Sequence, residues 1–263
     1  MGMFIKWRFF LSLWIVLFYF FIPGELRSTS LYETVGTEII CTANWFLLSG
    51  SASMRAVERT RLRGREVILW RGKVDRPGGV LGFIANLLKA YKGATVFDSY
   101  IDIETHLPIE CIEYRISSEG VKEILGHILY DRKNCSIRSL VKDSVLTGVP
   151  RDVQDGVSTL VYFLNGVNIH KMAVGKILRA NMNAGMEIDE VAVGVTVIET
   201  TENGVLYTFT SRKLPNLLKY PTVLSVQLLD DGVKKVPING VGFVRVPVIG
   251  KVKLKGTLTT SGI

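Results

Sequence analysis

The chain is 263 residues long, 48% hydrophobic and 21% charged, with a formal net charge of +8; that is long enough for one large domain or two small ones. Its basic residues are dispersed and lack interleaved aromatics, which excludes a nucleic-acid surface. Three histidines and three cysteines fall at no compact metal-ligand spacing, so neither a metal nor another cofactor is expected.

The first thirty residues read as an export address. Lys6 and Arg8 precede an apolar run from Phe9 to Ile22 that stops at Pro23-Gly24, the order of a basic segment and short apolar core that marks a secretory signal. Ser28 and Ser30 offer small residues for cleavage. Left uncleaved, residues 9–22 would anchor the chain in an inner membrane with the two basic residues on the cytoplasmic side. The expected division is therefore a signal peptide or anchor over 1–30 and a single domain over 31–263, working in the periplasm or cell envelope. No Pro-, Ser- or charge-rich linker divides the remainder.

From Thr37 onward strands dominate. The odd spacing of Arg55, Arg59, Arg61, Arg63 and Arg65 places them on one face of a strand, suited to solvent or to anionic head groups. After Pro77-Gly78-Gly79, the spacing of Val80, Leu81, Ile84, Leu87, Leu88 and Tyr91 predicts a first short helix. Asp98 and Asp102 share a face of an extended segment, about 13 Å apart at about 3.3 Å per residue. That is too far for a glycosidase carboxylate pair. Cys111 with Cys135 is the first disulfide to test among three possible pairs, with three separate buried thiols an equal alternative.

A second helix begins near Asp152 as N-cap, with Asp155 at its third position and an apolar stripe of Val153, Val157, Leu160, Val161 and Leu164. The stretch Gly166 to Met186 fits helix and strand equally. Glu190 to Glu199 alternates strictly, placing Val191, Val193, Val195 and Val197 on one face. Asn203-Gly204 then predicts a hairpin turn with both residues at positive φ. Val205, Tyr207 and Phe209 line the return strand. Near the end, Val244, Val246 and Val248, then Val252 and Leu254, alternate with polar residues as further strands, with prolines at edges or bulges.

Several landmarks occur in order: Trp45, Gly50 and Ala52; Asp98-Ser99-Tyr100-Ile101-Asp102 followed by Thr105 and Leu107-Pro108; Tyr130-Asp131; Asp152-Val153-Gln154-Asp155 leading to Ser158; and Leu228-Leu229-Asp230-Asp231 with Lys235, Val236-Pro237 and Gly250. In this order and spacing the chain resembles the bacterial exported family known as domain of unknown function 3108. The resemblance implies a β-rich exported domain whose strands curl around an apolar interior, with no activity to carry over. It departs from the family pattern at Asn165-Gly166, where an arginine is favoured, and in its three cysteines.

The fold expected is mainly β, an antiparallel curved sheet or barrel-like sandwich with two short helices. No nucleophile elbow, HExxH, phosphate loop or CxxC is present; Ser158 and His170 could meet only through folding. The expected function is non-enzymatic: a binding or carrier protein for a lipid, lipid-linked glycan or other apolar ligand. Assembly of envelope proteins through a sheet edge is the alternative, and an envelope hydrolase the third reading. Asp98, Tyr100, Asp102 and Asp155 are the candidate site positions, weighed against plain turn and cap roles for the carboxylates.

Overall fold

The computed structural model describes residues 35–36, 38–45, 48–75, 93–117, 119–165, 172–213, 222–230, 235–246 and 250–261. The expected leader, the expected helix after Gly79 and His170 lie outside them. Eight strands come first: β1 Glu38–Trp45, β2 Leu48–Leu62, β3 Arg65–Val74, β4 Ala94–Asp102, β5 Pro108–Ile116, β6 Lys122–Asp131, β7 Ser136–Ser139 and β8 Ser144–Thr147. One helix follows, α1 Gly156–Asn165, and then β9 Ile177–Asn183, β10 Ile188–Thr201, β11 Gly204–Lys213, β12 Thr222–Asp230, β13 Lys235–Val246 and β14 Gly250–Ser261.

All fourteen strands belong to one antiparallel sheet. Each strand pairs with its neighbours in sequence, except that β1 pairs with β14 and so joins the two meanders, and β8 and β9 end the sheet. This bears out the expected mainly β, curved antiparallel fold. The ladder does not close, yet the sheet curls until its ends meet. Helix α1 contacts β3, β4 and β9. The Asn183 side chain of β9 hydrogen-bonds the Tyr130 hydroxyl of β6 at 3.3 Å, although β6 and β9 stand near opposite ends of the sheet order.

Two apolar clusters account for the curl. On the concave face, Met54, Ala56, Ile68, Trp70 and Ile101 pack against Val157 and Val161 of α1. At the seam where the ends meet, Tyr130 and Ile137 pack with Val149 and Val153 of the segment leading into α1, and Met186 and Ile188 of the β9–β10 hairpin join them. That leading segment also pairs with β9: the Gln154 amide donates to the Asn181 carbonyl and the Asn183 amide to the Gln154 carbonyl, each at 2.7 Å. A third cluster, Val195, Tyr207 and Phe209, consolidates β10 and β11.

Irregularities reverse several faces that strict alternation would assign. A bulge between Ala56 and Glu58 interrupts β2, so Arg55 faces opposite to Arg59 and Arg61. Arg63 lies in the β2–β3 turn and Arg65 opens β3, so the five arginines do not share a face. A bulge between Val195 and Val197 does the same in β10. Val191, Val193 and Val195 are buried, whereas Val197 is exposed and Ile198 packs against the third cluster. The β10–β11 turn is built on Glu202 and Asn203, with Thr201 paired to Gly204. Only Gly204 takes a positive φ there, 131°, because the Thr201 hydroxyl accepts the Asn203 amide and holds the tight turn one residue earlier than expected. The ambiguous stretch resolves at Ile177 into strand β9. Near the C-terminus β13 and β14 are strands as expected, and Pro237 of β13 sits beside the bulge after Gln227, where its missing N–H interrupts no regular ladder.

Candidate functional site

Strand β4 carries polar groups on both of its faces. Its register places Trp70, Ser99, Cys111 and Ile128 in a row across β3, β4, β5 and β6 on the concave face, and Arg71, Asp98, Ile112 and His127 in the adjoining row on the convex face. Asp98, Tyr100 and Asp102 therefore share the convex face. Asp155 lies beneath the opposite face, so the four candidate positions form two sites.

On the convex face the carboxylates are neutralised one by one. Asp98, 4% exposed, accepts a two-pronged pair from Arg71 at 2.6 and 2.9 Å and the Tyr114 hydroxyl at 3.2 Å. Such a forked guanidinium contact is among the stronger charge-assisted geometries. Tyr100 stands beside it, across from Glu110; burial first, then the Asp98 charge, raise the Tyr100 phenol above its ordinary pKa. Glu110 is shared between Arg63 at 3.1 Å and His127 at 2.7 Å. Asp102 closes the turn after β4, accepting the backbone amides of Glu104 and Thr105 at 2.9 and 2.8 Å and Arg65 at 3.1 Å. Burial pushes its carboxyl up, but Thr105 and Arg65 together outweigh it and leave the pKa below the ordinary value.

On the concave face, Asp155 is the N-cap of α1. One carboxylate oxygen accepts the Ser158 amide at 2.7 Å, and the Ser158 hydroxyl accepts the Asp155 amide at 2.8 Å, the reciprocal arrangement of a capping box with serine at the third position. The cap is thus three residues later than the expected Asp152, which instead accepts the Asn181 side chain at 3.0 Å. The other Asp155 oxygen accepts the Ser99 hydroxyl at 2.6 Å and ties the helix to β4. Burial raises the Asp155 pKa, with the Ser158 and Ser99 bonds pulling against it. Burial, and next the Asp155 charge, likewise push up the Cys111 thiol and the Tyr130 phenol.

The concave polar island therefore comprises Ser99, Cys111, Tyr130, Asp155, Ser158 and Asn183, bordered by Trp70. Two buried atoms in this region have no hydrogen-bond partner among the described residues, the Trp70 indole N–H and the Gln154 side-chain oxygen. Cys111 and Cys135 are both free thiols, which corrects the disulfide tested first: Cys111 faces the concave island, while Cys135 lies in the β6–β7 turn at φ 48°. Of the island, only Asp155 was a candidate from sequence. Ser99 stands in the sequence only as a landmark of the Asp98–Asp102 run, and Ser158 only as a landmark or a remote nucleophile. Tyr130 was noted as a landmark alone.

No family model and no curated protein matches the chain. Among solved structures, those with some likeness to the chain include three at low similarity. A β-barrel-like protein of domain of unknown function 1849 from Brucella abortus is 9% identical, with 87% of this chain and 98% of that chain covered and a TM-score of 0.46. A domain of unknown function 1089 family protein from Pseudomonas aeruginosa is 10% identical over 80% and 94% of the two chains, with a TM-score of 0.30. A candidate exported protein with a YmcC-like fold from Bacteroides fragilis is 9% identical over 92% and 99%, with a TM-score of 0.26.

Proposed function

We propose that the chain is a non-enzymatic binding or carrier protein for a lipid or other apolar ligand in the bacterial envelope. The observation that carries this reading is the concave face: Met54, Ile68, Trp70, Phe97 and Ile101 form a continuous apolar floor, met by the valines of a short helix. Apolar surface enclosed by a curved sheet is the usual setting of a small-molecule site. The paired carboxylates favour binding over catalysis, since Asp98, Asp102 and Glu110 each face a cation and both Asp155 oxygens are spent on hydrogen bonds. The Lys6, Arg8 and Phe9 to Ile22 pattern supports the envelope as its place of work.

Native mass spectrometry of the protein, purified gently from bacterial envelopes and paired with lipid extraction, tests the proposal. A stoichiometric co-purifying lipid or lipid-linked glycan is expected. Repeated recovery of empty protein would overturn it.

One observation favours assembly through a sheet edge as the second reading. Strand β8 ends the sheet and carries exposed Val145, 58% accessible, beside exposed Leu140 and Val141 in its turn. Free strand edges with apolar side chains are places where another chain can add a strand. Empty protein that retains an envelope partner would support that alternative.

A further inference from the structure

The net charge of the chain is concentrated toward its C-terminus. Residues 203–263 hold nine Lys and Arg against two Asp, a net charge of +7 within a total of +8. The strand register brings much of that excess to one face. Cys41 is paired with both Ala52 and Leu258 and so lies in the concave rows of Met54 and Ala56. The alternate positions of β14, among them Lys251, Lys253 and Lys255, therefore belong to the convex face, with about 13 Å from first to last. Arg245 is paired with Lys251, Phe243 with Lys253 and Val241 with Lys255, and Val223 of β12 with Phe243. The Thr210–Ser225 pair carries these rows into β11 and places Arg212 on the same face, where its exposed side chain lies over Gly194 of β10.

Acids are scarce around this group. Among the described residues of β12, β13 and β14 the sole acid is Asp230, paired with Val205 at the far end of β12. Toward β1 and β2 the register continues with Asn44 and Ser49. Glu190 of β10 is already engaged by Arg179 and Lys213. The arginines of the β2–β3 hairpin differ in this respect, since Arg59, Arg63 and Arg65 are paired with Glu66, Glu110 and Asp102. A strand face with lysine at three successive alternate positions is not a core face, because Lys is almost never buried without a partner. A surface of one charge sign attracts its opposite.

We propose that the convex face of β12, β13 and β14 is a docking surface for an anionic phospholipid bilayer. Cations with no acid in register gain from the negative surface potential of such a membrane. Phe243, Val223 and Val241 decide for a bilayer over a soluble polyanion. Apolar residues set among basic ones gain nothing from phosphates in water, whereas the boundary between head groups and acyl chains accepts both kinds. The inference stands apart from the carrier reading, since docking needs neither cavity nor cargo. It gives the protein a side that meets the membrane while the concave face turns away from it.

Vesicle flotation of the protein as purified from bacterial envelopes tests the proposal, with vesicles of phosphatidylcholine alone and of phosphatidylcholine mixed with phosphatidylglycerol. Wild type is expected to bind the anionic vesicles at least about tenfold better and to lose that preference at about 0.5 M salt. Replacing Lys251, Lys253 and Lys255 together by Gln should weaken binding to the anionic vesicles roughly 100-fold, at roughly fivefold per lysine. Replacing Arg59, Arg61 and Arg138 by Gln removes the same charge from other strands and should change it by no more than about twofold. Equal losses in the two triple variants would reduce the effect to net charge and overturn the docking face, as would wild type that binds both vesicles equally. Wild type also gives a readout independent of how the variants fold. Acetylation by N-hydroxysuccinimidyl acetate, located by peptide mass mapping, should fall at Lys251, Lys253 and Lys255 when anionic vesicles are present and persist at exposed Lys133 and Lys142. Unchanged labelling of the three lysines would overturn the proposal. So would complete protection without vesicles, which would show that another segment of this chain or a second copy covers the face.

Discussion

Asp155 and Asp102 are both buried carboxyls, and their environments drive them in opposite directions. Asp155 is raised above its ordinary value near 3.8, chiefly by burial. Between that value and its folded one, the native state holds a proton that the unfolded chain has lost, so its contribution to stability falls as pH rises through the window. Asp102 is lowered from 3.8, its burial outweighed by Thr105 and Arg65. There the unfolded chain binds the extra proton, so the stability it supplies is present above about 3.8 and is lost as pH falls through the lowered value. Asp155→Asn keeps a good cap residue and is expected to flatten the loss of stability on rising pH. Asp102→Asn should flatten the acid loss and cost about 1–2 kcal/mol at neutral pH. Urea midpoints measured across a pH series check both, and curves for Asp155→Asn that run parallel to wild type would refute the first. The shared face of Asp98 and Asp102 was legible from their spacing of four. The partner of Asp155 was not, because Ser99 is 56 residues away in the chain and only the packing of α1 on β4 brings them together.

At the scale of single elements, the entry to β4 leaves no room for a side chain at Gly93. Gly93 takes φ 128°, and a β-carbon there would lie 1.9 Å from the Ile116 carbonyl oxygen at the end of β5. Both the dihedral and the clash exclude a side chain, and because the obstacle is backbone the pair cannot adjust without parting β4 from β5. Gly93→Ala is expected to cost roughly 3 kcal/mol or more, at the severe end of single substitutions, read as a lowered urea midpoint or as loss of soluble protein. The strands themselves were readable, since period-two alternation marks Glu190 to Glu199 and Val205 to Phe209 directly. Their faces were less so. A bulge adds one residue and inverts everything beyond it, and neither Val57 in β2 nor Thr196 in β10 announces one in composition. The start of α1 was misplaced for a related reason. Asp152 and Asp155 are equally good caps by residue type, and the choice falls to Asp155 because its hydroxyl partners Ser158 and Ser99 are both in reach, while Gln154 is already committed to pairing with β9.

Over the whole molecule, two kinds of junction hold the curled sheet, and they differ in strength. The two meanders are joined through β1 and β14 by a regular antiparallel ladder running from Glu38 paired with Ser261 to Asn44 paired with Lys255. The seam between the ends has no such ladder. It consists of the apolar cluster around Tyr130, Ile137, Val149 and Val153, the isolated bridge at Gln154, and side-chain bonds such as Asn183 to Tyr130 and Arg132 to the carbonyls of Arg151 and Pro108. Regions that open most readily are those with few buried contacts and few ladder bonds, so the seam should part while β2 to β5 remain paired. Native-state hydrogen exchange is expected to show faster exchange in β7, β8, β9 and the segment from Val149 to Asp155 than in β3 and β4. Val153→Ala removes two methyl groups from a fully buried position, at a cost of about 1–2 kcal/mol. Exchange at the seam should then rise roughly 5- to 30-fold with β3 and β4 unaffected. A uniform rise across all strands would show instead that the sheet opens as one unit.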